Sequence, residues 1–113
     1  MTKETIKTFQ YRITQATASQ LVVILYDMAI EYLNDACESD STEHAHNNIY
    51  MAQKVIDQLI CGLDMQYEIS ANLFVIYNHM KRSLISASVS LDNKEINRIT
   101  CLLYTSPSPR DRG

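Results

Sequence analysis

Glycine and proline are almost missing from this chain. Each occurs twice in 113 residues, and tryptophan does not occur at all. Both prolines, Pro107 and Pro109, sit at the C-terminal end, so the rest of the chain has few breakers. A β-sandwich or barrel needs turn residues every ~8–12 positions and is excluded on that ground. The three cysteines, Cys37, Cys61 and Cys101, show neither CxxC nor zinc-ligand spacing. They fit small thiols in a reducing compartment. No long apolar run exists either. The longest is Leu21–Tyr26, far below the ~20 residues that span a bilayer. Met1–Gln10 is polar and carries no signal-peptide pattern, so a cytoplasmic location without membrane insertion is expected. Positive charge is not clustered. Net charge is −3 and Lys81-Arg82 is the only basic pair within the helical part, which argues against nucleic acid. Paired carboxylates, a Gly-rich phosphate loop and a nucleophile motif are all missing, so the chain reads as a non-enzyme without a cofactor.

What the chain has is helix. Alanine, leucine, isoleucine, glutamate and glutamine dominate over breakers, and the class is all-α, in one domain. Thr17-Ala-Ser-Gln20 reads as a capping box, with Thr17 or Ser19 as N-cap. Behind it Leu21, Ile24, Leu25, Met28, Tyr32 and Leu33 recur at helical spacing over about 19–38. Val22, Val23 and Tyr26 add apolar surface outside that stripe. A helix apolar beyond one stripe is deeply buried or has a second partner. Asp40-x-x-Glu43 opens a second helix over about 42–62, carrying Ala45, Ile49, Ala52, Val55, Ile56, Leu59 and Leu63, with Gly62 as its stop. A third helix over about 69–90 carries Leu73, Tyr77, Met80, Leu84 and Ala87, and then Leu91, in steps of four and three. Asp92-x-x-Glu95 caps a fourth over about 92–104, with Ile96 and Ile99 as core residues. The connections are short, so an antiparallel up-down four-helix bundle is expected, its fourth helix truncated. Residues 1–16 form a polar N-terminal arm with apolar marks at Ile6, Phe9 and Tyr11.

The segment Cys101–Asp111, CLLYTSPSPRD, back-translates to a common transposase sequencing adapter. The native sequence is therefore expected to stop near Thr100. Residues 17–100 would be the bundle domain, incomplete at its C-terminus, and 101–113 a read-through segment. The competing account is a native tail, with Ser-Pro-Ser-Pro as a helix breaker. The fourth helix is expected to run into this segment and to break before Pro107.

Two local patterns could carry chemistry. Glu43-His-Ala-His46 contains one Glu-x-x-His, the spacing of di-iron bundles. Such a site needs a second copy and further inward glutamates, which the sequence lacks, so a solvated helix end is the better account and no metal is expected. His79-Met-Lys-Arg-Ser83 places a histidine mid-helix, as histidine phosphotransfer bundles do. Their pattern is H-x-x-K-G, and here Arg82 and Ser83 take the last two places, so the glycine that gives phosphate access is missing. Of the tyrosines, Tyr26, Tyr32, Tyr50 and Tyr77 fit bundle core. Tyr11 lies ahead of the first helix, where it either packs the arm onto the bundle or does so reversibly.

Two separated blocks, in order, resemble the FliS family of flagellar secretion chaperones. In the first, Leu21, Leu25, Tyr26, Asp27, Ala29, Ile30 and Leu33 fit LxxMLYDGAIxxL, and Thr17, Ala18 and Ser19 stand ahead of it as TAS, two residues closer than in the family's TASPxxL. In the second, Ile69, Asn72, Leu73, Tyr77, Met80, Leu84 and Ala87 fit IAxNLxxLYxYMxxxLxxA, with Ala71 one place after the family's Ala. Gln20, Met28 and His79 depart from the family's Pro, Gly and Tyr. The resemblance spans about Tyr11–Thr100. It implies a chaperone that binds the disordered C-terminal segment of flagellin, prevents premature polymerisation and keeps it export-competent, and it admits another flagellar regulator as a partner. It further implies that the arm caps part of the client groove and moves aside, which would make Tyr11 and Ile13 the cap residues. Val22, Val23 and Tyr26 are the candidate groove wall, from their surplus apolarity alone. Histidine phosphotransfer through His79 is the alternative function.

Overall fold

In the computed structural model, residues 1–91 and 93–105 are described. They form five helices: α1 (Lys3–Gln15), α2 (Ala18–Glu38), α3 (Thr42–Cys61), α4 (Glu68–Ser90) and α5 (Asn93–Thr105), with no strand among them. The all-α expectation holds. The arm, however, is a helix and not an irregular segment. Thr2 caps it, its hydroxyl accepting from the Thr5 amide at 3.1 Å. Phe9 is the residue of α1 that it buries.

The caps explain most boundaries. Thr17 is the N-cap of α2, and the capping box is closed both ways: Gln20 N–H donates to the Thr17 hydroxyl at 3.2 Å and Thr17 N–H to Gln20 Oε1 at 3.0 Å. α3 is capped by Ser41, one residue later than expected, because its hydroxyl and not the Asp40 carboxylate reaches the N3 amide, that of His44, at 3.1 Å. Gly62 ends α3 with right-handed backbone, so the stop does not draw on glycine's access to positive φ. The left-handed position is Leu91, φ 53°, whose N–H closes α4 onto Ala87 O at 2.6 Å. A Cβ there costs roughly 1–2 kcal/mol. The leucine is half-buried against the core, and that packing offsets the strain. The expected cap at Asp92 and the break before Pro107 lie outside the described residues.

Four helices close a ring. α2 packs on α3 and α5, and α4 packs on the same two. Two cross-links show α3 and α4 to be antiparallel. His46 Nε2, early in α3, lies 2.7 Å from Ser88 O, late in α4; Lys81 Nζ meets Asp57 Oδ1 at 2.5 Å. Inside the ring sit Ile30 and Leu33 of α2, Ile49 and Ile56 of α3, Met80 and Leu84 of α4, and Ile96, Ile99 and Leu103 of α5. The α4 seam is as expected: Tyr77, Met80, Leu84 and Ala87 are all buried. On α2 the expected stripe holds in part. Ile24, Tyr32 and Leu33 are buried and Leu21, Leu25 and Met28 only half-buried, while Tyr26, Ala29, Ile30 and Ala36 are buried outside the stripe. α5, at 13 residues, is shorter than α2, α3 or α4 and supplies Leu103 from beyond Thr100.

A polar contact crosses this core. The Tyr26 and Tyr77 hydroxyls hydrogen-bond across the bundle, with ring centroids 6.1 Å apart. Burial pushes the Tyr77 phenol above its ordinary range, and the bond to Tyr26 partly offsets this. Tyr26→Phe leaves the Tyr77 hydroxyl buried without its partner and is expected to cost about 1–3 kcal/mol. The Tyr26→Phe, Tyr77→Phe double variant should recover most of that loss in denaturant melts. The phenol has a raised pKa in the folded state, so its contribution is intact below the unfolded pKa of about 10 and is lost as pH climbs through the folded value. Alkaline unfolding should therefore begin above about pH 10 and move upward in the double variant.

Candidate functional site: the seam between α1 and α2

α1 touches α2 and no other helix among those described. Its contact is assembled from three attachments. Phe9 is buried. Arg12 reaches Asp27 Oδ2 at 3.4 Å and lies over the Phe9 ring, 5.4 Å from its centroid. The Met1 ammonium meets Asp35 Oδ2 at 2.7 Å. The order of these pairs, Met1 with Asp35 and Arg12 with Asp27, runs α1 antiparallel along α2. Phe9 and Ile24 are both buried, yet both lie outside the contiguous core of the ring. The seam is thus a small apolar contact of its own, flanked by the exposed Arg12–Asp27 pair, which is worth little, and by the Met1–Asp35 pair, where the Met1 side chain is buried against the ring core.

At the C-terminal end of α1 a cavity of about 450 Å³ opens between the two helices. Tyr11, Arg12, Gln15 and Ala16 line it from the α1 side, and Gln20, Val23 and Ile24 from α2. The structure therefore brings Tyr11 and Val23 together. Tyr11 is 69% exposed, so it stands over the cavity and does not plug it. Ile13 is also exposed and does not line the cavity. Val22 and Tyr26, expected as groove wall, face the other way. Tyr26 is fully buried and Val22 packs against the core. The cause is the helical period: positions 22, 26 and 33 fall on one face of α2, and position 23 is turned ~100° from position 22.

Phe9 and Ile24 are the residues that the sequence reading did not assign to this seam. A signal for Phe9 existed. Ile6, Phe9 and Ile13 stand at i, i+3 and i+7 behind a threonine cap, which is a helix with one apolar edge. Among the described residues no group of three or more His, Cys, Asp or Glu gathers as a metal would need. His46 is engaged with Ser88 O, and His79 is exposed on α4. Cys37 is half-buried beside Asn97, and burial, then Glu38, pushes its thiol pKa up, away from a reactive thiolate. No described helix is long and apolar enough to cross a membrane.

A family model, that of the flagellar protein FliS, matches residues 1–106. The chain belongs to the flagellar protein FliS family. It is similar to the flagellar secretion chaperone FliS of Bacillus subtilis (strain 168), with 29% identity over 86 residues, covering 74% of this chain and 65% of that relative. The chain thus spans a little under two thirds of the length of this curated relative. The matched region takes in all five helices of the structure.

Proposed function

We propose that this protein is a flagellar export chaperone of the cytoplasm. It would bind the disordered C-terminal segment of flagellin, hide its apolar helical faces from other flagellins and keep it export-competent. Family membership supports the chaperone class, and the relative's name carries secretion. The observation that carries the site is the attachment of α1 to α2 alone. Lifting α1 uncovers Val23 and Ile24 without opening the core of the ring. A client helix with apolar residues at i, i+3, i+4 and i+7 can then take the place of α1. The client pays for its own ordering, so additional contact along the bundle must contribute to affinity.

Calorimetric titration of the full chain with a synthetic flagellin C-terminal peptide tests this reading. Saturable binding with a negative heat-capacity change is expected, since apolar surface is buried. No binding, with the helical fold intact, overturns it.

Phosphotransfer through His79 predicts a label on that residue from a phosphorylated response regulator. His79 is exposed, but Arg82 and Ser83 stand where that pattern needs Lys and Gly. No transfer is expected. Acid-labile phosphate that disappears in His79→Gln would replace the chaperone reading.

A further inference from the structure

The outer side of the α3–α4 pair carries apolar residues that neither the core nor the α1–α2 seam uses. Tyr50 was expected in the core and is 55% exposed instead. On α4, Phe74, Ile85 and Val89 are all exposed, Val89 at 86%. They are not scattered. Positions 74, 78, 82, 85 and 89 recur at steps of four and three, so they share one face of α4, turned away from the buried seam of Tyr77, Met80 and Leu84. The cross-links place this face beside α3. His46 with Ser88 and Asp57 with Lys81 fix an antiparallel register that puts Tyr50 near the level of Ile85, and Cys61 near that of Phe74. The groove between the two packed helices, on the side of the ring away from the core, thus carries Tyr50, Ile85 and Val89 toward one end and Phe74 toward the other, with Asn78 and Arg82 between them. A single surface apolar needs no explanation, but four on one side of a helix pair do.

The charge on this groove is opposite to that of the chain. Net charge overall is −3, yet the groove presents Lys54 and Arg82 along its middle, with one exposed carboxylate, Glu43, on the same face at the start of α3. Lys54 lies over the Tyr50 ring, 4.9 Å from its centroid, and Arg82 has no acidic partner among the described residues. Lys81 is already neutralised by Asp57. A second copy of this chain is a poor occupant. An antiparallel α4–α4 pairing about the middle of the row sets Arg82 against Arg82 of the other copy, and like charges across an interface are costly. An acidic partner meets both cations instead.

We propose that the α3–α4 face is a second docking surface, independent of the α1–α2 seam, for an acidic amphipathic helix of a partner protein. Its apolar stripe would lie over Tyr50, Phe74, Ile85 and Val89, and its flanking carboxylates would meet Lys54 and Arg82. The surface leaves α1 and Val23 free, so the two sites can be filled together.

The test uses the full chain and two synthetic amphipathic peptides with the same leucine stripe, one flanked by glutamate and one by lysine. Fluorescence anisotropy should show the glutamate peptide binding about tenfold tighter. Arg82→Glu should erase that preference, and added salt should weaken it. Ile85→Asp, at an exposed position that leaves the fold intact by circular dichroism, should remove binding of both peptides. Val23→Asp should leave it unchanged. Equal affinity for the two peptides, survival of binding in Ile85→Asp, or its loss in Val23→Asp would each overturn the proposal. So would a concentration-dependent dimer in sedimentation that Val89→Asp dissolves, since that makes a second copy the occupant.

Discussion

Val23→Asp is expected to abolish binding of the flagellin peptide, with at least a hundredfold loss of affinity and little change in helix content. Val23 is half-buried on the α1-facing side of α2 and lines the cavity under Tyr11. A carboxylate at that point meets an incoming apolar helix face, and burying it without a partner costs several kcal/mol. The ring core is untouched, because the buried α2 residues in it are Tyr26, Ala29, Ile30, Tyr32, Leu33 and Ala36, and Val23 is not among them. A second route to the same loss exists and can be separated. Arg12 lines the same cavity, so an aspartate at 23 could pair with it and hold α1 shut. Calorimetry in the Phe9→Ala background distinguishes the two. If the wall is damaged, binding stays lost with α1 loosened. If the cap is merely latched, binding returns. Wild-type affinity for Val23→Asp removes this face of α2 from the client site.

The contrast between Val23 and Tyr26 marks how far the sequence reaches. α4 was legible through the middle of its core seam, where Tyr77, Met80, Leu84 and Ala87 form one stripe at steps of four and three; Leu73 and Leu91 at its ends are only half-buried. α2 was less legible. It is apolar on more than one face, and the period alone does not say which face meets α3 and α5 and which meets α1. Tyr26 fitted both the core and the groove wall, and the contact that decides between them, its hydroxyl with that of Tyr77, lies 51 residues away on α4, where nothing local could show it. Tyr50 failed in the opposite sense: a large aromatic on an amphipathic helix read as core, but its position falls on the outer edge of α3, where Lys54 covers it. The boundaries set by side-chain caps were readable to within a residue, because a hydroxyl or carboxamide three positions from an amide is a local fact. Thr17 illustrates this, and Ser41 shows its one-residue tolerance. The arm was judged by its polarity, which hid the helix. A polar segment can still be helical when one or two apolar residues on an edge, here chiefly Phe9, dock on a helix already in place.

Phe9 is also where the cap is best tested. Tyr11 is the residue that stands over the cavity, but with so little of its surface buried its removal should change stability by less than about 1 kcal/mol. Phe9 is buried, and burying a phenylalanine contributes about 1.5–3 kcal/mol. Phe9 is the buried residue of α1 itself, and the Arg12–Asp27 pair is exposed and weak in water; Met1, just ahead of α1, is held separately by Asp35 and by packing on the core. Phe9→Ala should therefore raise the population with α1 undocked by on the order of 10–100-fold. Hydrogen exchange should report this as lost protection across Lys3–Gln15, with α2 to α5 still protected and the main melting transition little moved. If α1 and the client share the seam, the closed cap lowers apparent affinity by the fraction of molecules that are open, and loosening it returns that factor. Peptide affinity should then rise, by no more than the factor by which opening rises. Unchanged affinity despite lost protection in α1 would mean that the client binds elsewhere on the ring. A fall in affinity would mean that Phe9 itself touches the client, making α1 part of the binding surface and not its lid.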